Sequence, residues 1–306
     1  MPTQLTVVIV NWNTGELLSR CLDSLFRSLR LRSVEVFVVD NASTDGSAAM
    51  VRERYPQVRL IENRENLGFA RANNQAIRQS SGRYVLMLNP DTLVHPSGID
   101  ALVDFLESHP EAGACGAYLL NPDGSLQHSC SPAPTLGREF RRLFHLPGIR
   151  SDGYYAMEKW DQALPRRVDV ILGACLLLRR QALEQVGLLD EDYFIYSEEV
   201  DLCHRLRQAG WELYWVPQGR VVHLGGQSTR QVSEAMFLRL YQAKLLYFRK
   251  NHGRVQALAY KLIIASAALI RLLLTPLALL LGDARQQASL AQAANYRRLL
   301  VKLPGW

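Results

Sequence analysis

The chain has 306 residues, of which 48% are hydrophobic and 21% are charged. This composition can build one large domain with an appended region, and it excludes an intrinsically disordered chain. The five cysteines are widely spaced and form no C-x-x-C pair, which argues against a zinc knuckle or a dithiol redox site. We expect them to be small core residues of a protein in a reducing compartment.

The net charge of +6 is distributed unevenly. Residues 1–229 contain 23 Lys/Arg against 27 Asp/Glu, whereas residues 230–306 contain 12 against 2. A basic C-terminal region predicts contact with an anionic surface, either a nucleic acid or a membrane. The same region contains the apolar run LIIASAALIRLLLTPLALLLG and lacks the interleaved basic and aromatic residues of a nucleic-acid arm. We therefore expect a membrane surface, and no nucleic acid, as the partner.

Apolar runs alternate with helical patterns through the first 120 residues. The runs predict strands at Leu5–Val10, Val34–Val39, Val58–Ile61, Tyr84–Leu88 and Ala114–Leu119, with helices after Asn13 and over Phe69–Gln79 and Ser97–Ser108. Asn13 is expected to cap the first helix, with Glu16 completing a capping box. This alternation predicts an α/β fold: a mostly parallel, Rossmann-like sheet flanked by helices.

Residues 121–168 show no clear periodicity and are interpreted as a variable excursion. Beyond them, an acidic segment leads into a helix that Gly210 ends, and two strands are predicted at Trp211–Val216 and Arg220–Leu224. We expect one domain over 1–230, followed by a helical, apolar and basic tail over 231–306.

Polar side chains follow several of the predicted strands directly. Asn11, Asp40 and Asn89 each stand where a strand ends, which is where open α/β sheets bind ligands. No G-x-G-x-x-G or Walker A sequence is present, so the usual glycine-rich phosphate cradles are absent from the sequence. From the residues alone, Asp40 either accepts hydrogen bonds from a nucleoside or forms an Asx-turn that opens the next helix.

Seven segments occur in a recognisable order: VVIVNWN, VVDNASTDGS, NRENLGFARANN, LNPDT, LGACLLLRR, FIYSEEVDLCHRLRQAGW and HLGGQS. In this order they resemble the family 2 inverting glycosyltransferases, and the rhamnosyltransferase-like branch in particular, over roughly residues 5–230. The resemblance implies a GT-A fold, a nucleotide-diphosphate sugar donor, a divalent cation (Mg²⁺ or Mn²⁺) and transfer of a sugar to a lipid-linked or other glycan acceptor. The alternative is a catalytically inactive nucleotide-sugar-binding or membrane scaffold protein.

The resemblance assigns residues to the donor site. The residues expected to bind the nucleotide-sugar are Asn11, Asp40, Asn41, Asn66, Gly68, Asn89, Asp91 and Gly173. Asp91 and His223 are expected to hold the metal, while Asn89 departs from the family's common Asp-x-Asp and leaves one charged ligand there. Ser228 is expected near phosphate.

Structural alternatives remain open for several of these positions. Gly68 suits a tight turn, Asn89-Pro90-Asp91 suits an Asn-Pro turn, and Gly173 suits close strand packing. A lone histidine such as His223 is more often structural than a ligand.

Two neighbouring acids begin the helix of the acidic segment. Glu199 stands where the resemblance places the catalytic base, and Glu198 is the second candidate; a carboxylate there would take the proton from the attacking hydroxyl. The alternative is that both acids complement the partial positive charge of the helix N-terminus. Asp201, four residues before Arg205, suits an ordinary surface ion pair.

The tail contains twenty residues, 262–281, with only Arg271 charged, a length that could cross a bilayer. Arg271 and Pro276 argue against a simple span and favour an interfacial helix or hairpin on an anionic leaflet. Helices packed against the catalytic domain or a homo-oligomer partner are the alternative. The N-terminus shows no secretory signal pattern, so we expect a cytoplasmic enzyme, peripheral on the cytoplasmic face of the inner membrane.

Overall fold

The computed structural model describes residues 4–30, 33–146, 153–226, 233–278 and 283–306. The chain divides into two compact units. The first joins Met1–Ala133 to Tyr154–Gln231, and the second joins Pro134–Gly153 to Val232–Trp306.

The first unit contains all the strands described. They are β1 (Leu5–Asn11), β2 (Val34–Asp40), β3 (Arg59–Glu62), β4 (Tyr84–Leu88), β5 (Thr92–Val94), β6 (Ala112–Leu120), β7 (Leu126–Gln127), β8 (Cys130–Ser131), β9 (Arg166–Arg167), β10 (Val170–Ile171), β11 (Cys175–Arg179) and β12 (Glu212–His223). Its α-helices are α1 (Gly15–Ser28), α2 (Ser47–Arg54), α3 (Phe69–Gln79), α4 (Gly98–Ser108), α6 (Arg180–Val186) and α7 (Glu198–Gln208), and α5 (Leu136–Leu143) belongs to the second unit.

The main sheet has the order β3-β2-β1-β4-β11-β6-β12-β5, with β7 on β6 and β9 on β12. The half formed by β3, β2, β1 and β4 is parallel throughout, whereas β11 runs antiparallel between β4 and β6. The carboxyl ends of β1, β2 and β4 therefore meet at one edge of the sheet. The predicted α/β class and the parallel arrangement of its first half are confirmed.

The core lies on both faces of the sheet. Successive residues of a strand face opposite ways, so Val7 and Ile9 join the layer that contains α1, while Val8 joins the layer that contains α3. All five cysteines are free and buried, as expected, and burial raises the pKa of Cys21 and Cys203 to about 12.

The expectation that Asn13 caps α1 is wrong. Asn13 has φ +52° and Thr14 is the N-cap residue, without a side-chain cap bond. The Oδ1 of Asn13 instead accepts a hydrogen bond from the backbone N–H of Thr44, 2.7 Å away. The side chain of Asn13 is therefore hydrogen-bonded to the loop after β2, and it does not cap α1 as the local sequence pattern predicts.

The expectation of two strands near the end of the first unit is also wrong. The structure has one strand, β12, which runs through Pro217. Its pairing with β6 shifts register between Val216 and Arg220. A bulge in the strand accommodates the proline and glycine that the sequence pattern takes as a break.

The second unit is helical in the parts that the structure describes. It contains α5, α8 (Ser233–Ala278), α9 (Asp283–Lys302) and a 3₁₀ turn at Leu303–Gly305. Gly253 interrupts α8 with non-helical angles of φ +86° and ψ 174°.

An ion network is buried within the second unit. Glu139 accepts hydrogen bonds from Arg142 and from Lys244, at 2.7 and 2.8 Å, which joins α5 to α8. Removing one partner from such a network leaves a buried charge without compensation, so the three side chains fix the position of α5 on α8.

Candidate active site

The ends of β1 and β2 bring Asn11 and Asp40 together, because the two residues are partners in the parallel register. Both are buried, and the Nδ2 of Asn11 donates to the Oδ2 of Asp40 at 3.1 Å. The Oδ1 of Asp40 accepts from the backbone N–H of Ser43 at 2.9 Å. The local geometry of Asp40 is therefore that of the Asx-turn alternative. Its carboxylate receives two hydrogen bonds and can accept more.

Asn41 fixes the loop before α3. Its Nδ2 donates to the Oδ1 of Asn66 at 2.8 Å and to the carbonyl oxygen of Gly68 at 3.3 Å, and its Oδ1 accepts from Asn63 and from the backbone of Leu67. The amide of Asn41 is therefore fully engaged within the protein. Its geometry is that of a residue that positions the loop.

Gly68 lies where this loop touches the segment before α7. It has φ +84°, and a Cβ atom at this position would lie 2.4 Å from the carbonyl oxygen of Phe194. The backbone N–H of Phe69 donates to the same oxygen at 2.7 Å. Both the positive φ and the close approach require glycine, so the tight-turn alternative fits Gly68.

Asp91 and His223 lie together at the end of β12. The Nε2 of His223 is 3.3 Å from the Oδ1 of Asp91 and 3.4 Å from the Nδ2 of Asn89. The side chains of Asp91 and His223 are both nearly buried. The structure thus brings together residues separated by more than 130 positions in the chain.

The geometry of this pair fits a divalent cation. Two ligands about 2.1 Å from one ion are about 3.0 Å apart at a right angle and about 3.4 Å apart at a tetrahedral angle. The observed 3.3 Å lies in that interval. Among the described residues, no cluster of three or more His, Cys, Asp and Glu side chains forms a metal site. Asp91 and His223 would thus supply two of the ligands of such an ion.

Glu198 and Glu199 begin α7. The Oε2 of each is buried and has no hydrogen-bond partner among the described residues. Burial raises the pKa of both carboxyls, and the neighbouring charge of Glu199 raises that of Glu198 further, to well above its ordinary value. Backbone N–H groups at the helix start lower the pKa of Glu199 and oppose the effect of burial.

The backbone that presents these acids is unusual. Tyr196 and Ser197, the two residues before α7, both have positive φ, at +70° and +65°. Non-glycine residues rarely adopt this conformation, and such residues cluster at functional sites. This observation favours a chemical role for Glu198 and Glu199 over simple complementation of the helix dipole.

Gly173 lies beside the acids. A Cβ atom at this position would be 3.7 Å from the Cε1 of Phe69 and 3.8 Å from the Cβ of Glu199, which are ordinary contacts. Close strand packing therefore does not require glycine at 173.

Asp201 has a structural role of a different kind from the one expected. Its carboxylate accepts from the Nε of Arg205 at 2.7 Å, but only 4% of the Asp201 side chain is exposed. Arg205 also donates to the carbonyl oxygens of Val186 and Leu188. The predicted surface ion pair is therefore largely buried, and it connects α7 to the loop after α6.

Gln127 is a site residue that the sequence interpretation missed. Its Oε1 lies 2.7 Å from the Nδ1 of His223. The turn sequence Asn121-Pro122-Asp123-Gly124, with Gly124 at φ +82°, is a hairpin signal that could have located it. Ser228 lies outside the described residues.

The fold and this arrangement of carboxylates and amides at the strand ends fit an α/β enzyme with its site at the carboxyl edge of the sheet. The model of the family "Glycosyl transferase family 2" matches residues 6–187. The chain belongs to this family and is a glycosyltransferase.

The chain is similar to two further named enzymes in sequence and to one solved structure in fold. It is 35% identical over 266 residues to the N-acetylglucosaminyl-diphospho-decaprenol L-rhamnosyltransferase of Mycobacterium tuberculosis, covering 83% of this chain and 86% of the relative. It is 26% identical over 205 residues to rhamnosyltransferase WbbL of Escherichia coli (strain K12), covering 62% and 76%. The mannosyltransferase PcManGT from Pyrobaculum calidifontis, solved with GDP-Man and Mn²⁺, shares the fold with a TM-score of 0.59 and 20% identity, over 99% of this chain and 89% of that one.

Proposed function

We propose that this glycosyltransferase moves a sugar, of which rhamnose is the leading candidate, from a nucleotide-diphosphate sugar to a hydroxyl of a lipid-linked glycan in cell-surface polysaccharide synthesis. The names of the relatives, two of them rhamnosyltransferases and one of these acting on a decaprenol-linked sugar, support the sugar and the acceptor. The observation that carries the proposal is the pair of acids at the start of α7, each with a buried oxygen that has no hydrogen-bond partner in the described part of the chain.

Glu199 is the proposed base. Its carboxylate accepts the proton of the acceptor hydroxyl while that oxygen bonds to the anomeric carbon, and the bond from the anomeric carbon to the diphosphate oxygen breaks on the opposite face. The sugar is thereby transferred with inversion, and the nucleoside diphosphate leaves with the bonding electrons. A raised pKa makes the Glu199 carboxylate a stronger base than an exposed glutamate.

Asp91 and His223 would hold a divalent cation, Mg²⁺ or Mn²⁺. A cation there supplies charge neutralisation for the leaving diphosphate. Asn89 lies against His223 but offers an uncharged amide where a second carboxylate is common, so the protein contributes one negative charge to the ion.

The donor nucleoside would lie at the ends of β1 and β2. Asp40 supplies the acceptor for a base or ribose, and Asn11 orients its carboxylate. Asn41 and Asn66 hold the adjacent loop, and Gly68 permits the close turn that shapes it.

A membrane surface is the proposed location, on the cytoplasmic face of the inner membrane. One helix described in the structure is long and apolar enough to cross a membrane: Glu234–Pro276, with a mean hydropathy of 1.9 in its most apolar stretch. Arg271 within it is held inside the second unit, where it donates to the carbonyl oxygen of Leu143 at 2.5 Å and lies 5.1 Å from the ring centre of Tyr296.

Five exposed apolar side chains of α8 face away from Arg271. At about 100° per residue, a set of five lies within about 40° of the opposite direction. These residues, which we call the α8 stripe, are Val255, Leu258, Leu262, Leu269 and Leu273, and they are 51% to 82% exposed. Three exposed basic residues directly precede the stripe along α8: Arg249, Lys250 and Arg254. An apolar stripe beside basic residues matches an anionic lipid surface.

Donor binding tests the catalytic proposal. Calorimetric titration with dTDP-, UDP- and GDP-sugars in the presence of Mn²⁺ should show saturable binding of one class, and transfer to a lipid-linked acceptor should follow. If none of these sugars or their diphosphates binds, the donor site is assigned wrongly. Tight binding without turnover on any glycan acceptor would instead support the scaffold alternative.

Vesicle flotation tests the membrane proposal. Full-length protein should float with vesicles containing anionic phospholipid, and Leu262→Glu with Leu273→Glu should abolish flotation. Val221→Ala, a core change in the first unit, is the control for general destabilisation. Release of the wild-type protein by high salt alone would contradict apolar insertion of the α8 stripe.

A further inference from the structure

Gln127 stands at the end of β7, in a hairpin that turns back onto β6. Gln127 is paired with Leu119 in that ladder, and the turn at 121–124 brings its side chain under the end of β12. Nothing in the proposed chemistry uses this residue directly. Its contacts nevertheless converge on one proposed metal ligand.

The orientation of the Gln127 amide is fixed by acceptors on its nitrogen side. The Nε2 donates to the Oδ1 of Asn121 at 2.9 Å and to the carbonyl oxygen of His223 at 3.0 Å. The amide of Asn121 is fixed in turn, since its Nδ2 donates to the Oγ of Ser125 and to the carbonyl oxygen of Leu126. Both hydrogens of the Gln127 amide are therefore used, and its oxygen is the atom that faces the His223 ring.

The oxygen of Gln127 can only accept a hydrogen bond. It lies 2.7 Å from the Nδ1 of His223, so that nitrogen carries a hydrogen. In the neutral ring the other nitrogen, Nε2, then carries the lone pair, which accepts a hydrogen bond from the Nδ2 of Asn89 at 3.4 Å. This nitrogen points to the Oδ1 of Asp91 at 3.3 Å.

We infer that Gln127 is a positioning residue: it holds neutral His223 in the Nδ1–H tautomer and directs the Nε2 lone pair to the cation site beside Asp91. The inference rests on the proposed function for the identity of the site, but the hydrogen-bond chain that carries it is independent of any donor or acceptor. Partners of this kind, which bind the far nitrogen of a ligand histidine, set its tautomer and ring orientation.

A purely structural role is the competing explanation, since the bond from the Nε2 of Gln127 to the carbonyl oxygen of His223 also ties the hairpin to β12. The two roles use different atoms of the same amide. Gln127→Met removes both at nearly constant volume, whereas Gln127→Glu keeps an acceptor for Nδ1–H and loses the donors. Asn121→Ala is the matched control, because it loosens the hairpin while leaving the oxygen of Gln127 against the ring.

Nitrogen-15 NMR of the metal-free, full-length protein tests the inference directly, at a pH where the ring is neutral. His223 is assigned among the seven histidines by its loss in His223→Gln. The wild type and Asn121→Ala should show Nδ1–H, and Gln127→Glu should keep it. Gln127→Met should show the Nε2–H tautomer or a mixture. A wild-type ring with Nε2–H overturns the inference without recourse to any variant.

Titration with Mn²⁺ alone, followed by electron paramagnetic resonance, provides the second measurement. Gln127→Met should weaken Mn²⁺ binding about 10- to 100-fold, while Asn121→Ala stays within a few-fold of the wild type. Equal losses in both variants would show that Gln127 acts only as a structural tie. A wild-type protein with the Nδ1–H tautomer that binds no nucleotide-sugar would refute the proposed function and leave the positioning role intact.

Discussion

The acids at the two sides of the site differ in how well the protein satisfies them. At the ends of β1 and β2, Asp40 receives hydrogen bonds from Asn11 and from the backbone of Ser43. At the start of α7, Glu198 and Glu199 each have a buried oxygen to which none of the residues that the structure describes donates a hydrogen bond.

This difference separates positioning from chemistry. A satisfied buried carboxylate is held rigidly, which suits recognition of a ligand that must sit in one place. An unsatisfied buried carboxyl has a raised pKa and a site for a proton from outside, which suits a base. Four substitutions test this division, in order of decreasing expected effect.

The largest effect is expected for Glu199→Gln. The amide cannot accept the acceptor's proton at neutral pH, so kcat should fall about 10²- to 10⁴-fold while donor affinity changes little. Single-turnover transfer and calorimetric donor binding, measured on the same preparation, check this. Full turnover in Glu199→Gln together with loss in Glu198→Gln would place the base one residue earlier.

The next largest effect is expected for Gly68→Ala. A methyl group 2.4 Å from the carbonyl oxygen of Phe194, at φ +84°, should destabilise the fold by about 2 to 5 kcal/mol. Gly46→Ala is the matched control, because Gly46 has the same φ of +84° with nothing within 4 Å of the new atom. Urea unfolding should therefore give about 1 to 2 kcal/mol for Gly46→Ala. If the two variants lost the same free energy of unfolding, backbone strain alone, and not the contact with Phe194, would require glycine at 68.

A smaller loss of stability is expected for Asn41→Ala. The change leaves the backbone N–H of Leu67 and the side chain of Asn66 without their partner, which should cost about 2 to 3 kcal/mol. Asn73→Ala, which removes a buried amide whose Nδ2 donates to the Phe69 carbonyl, should cost about 1 kcal/mol. Denaturant unfolding gives both values. If Asn41→Ala lost donor binding at unchanged stability, Asn41 would contact the ligand instead of positioning the loop.

The smallest effect, and the opposite sign, is expected for Glu198→Gln. Burial raises the folded-state pKa of Glu198 well above its ordinary 4.5, so the folded state binds more protons than the unfolded state between the two values. The stability tied to this proton is present in full below pH 4.5 and is lost as the pH rises through the folded pKa.

Glu198→Gln removes this pH-dependent loss of stability, because the glutamine amide does not titrate. At pH 8 the variant should be more stable than the wild type by about 0.5 to 2 kcal/mol, and the gap should close as the pH falls towards 4.5. Thermal unfolding followed across this pH range measures the gap. A gap that does not depend on pH would show that Glu198 has no raised pKa.

The parts of the fold that depend on local pattern were predictable from the sequence. The bounds of α3 and β4 coincide with the predicted Phe69–Gln79 and Tyr84–Leu88, because apolar periodicity and flanking polar residues define both. The proximity of Asn11 and Asp40 also follows from the sequence, since parallel strands of equal length end at the same edge.

The parts that depend on distant partners were not predictable. Asparagine is a common helix-capping residue, but the side chain of Asn13 instead accepts a hydrogen bond from the backbone N–H of Thr44. Gln127 meets His223 across 96 positions, through a hairpin in a segment without periodicity. The burial of Asp201 likewise depends on carbonyl groups after α6 that hold Arg205, and the spacing of the pair does not reveal them.

The loop before α3 and the segment before α7 are connected by a hydrogen bond from the backbone N–H of Phe69 to the carbonyl oxygen of Phe194. Gly68 directly precedes the donor of this bond and Asn66 lies three residues before it, while Glu198 stands four residues after the acceptor, beyond the strained pair Tyr196 and Ser197. On the proposed assignments, a nucleotide-sugar that shifts the loop of Asn66 would also move the backbone that presents the acids, so donor occupancy would act on the position of the proposed base.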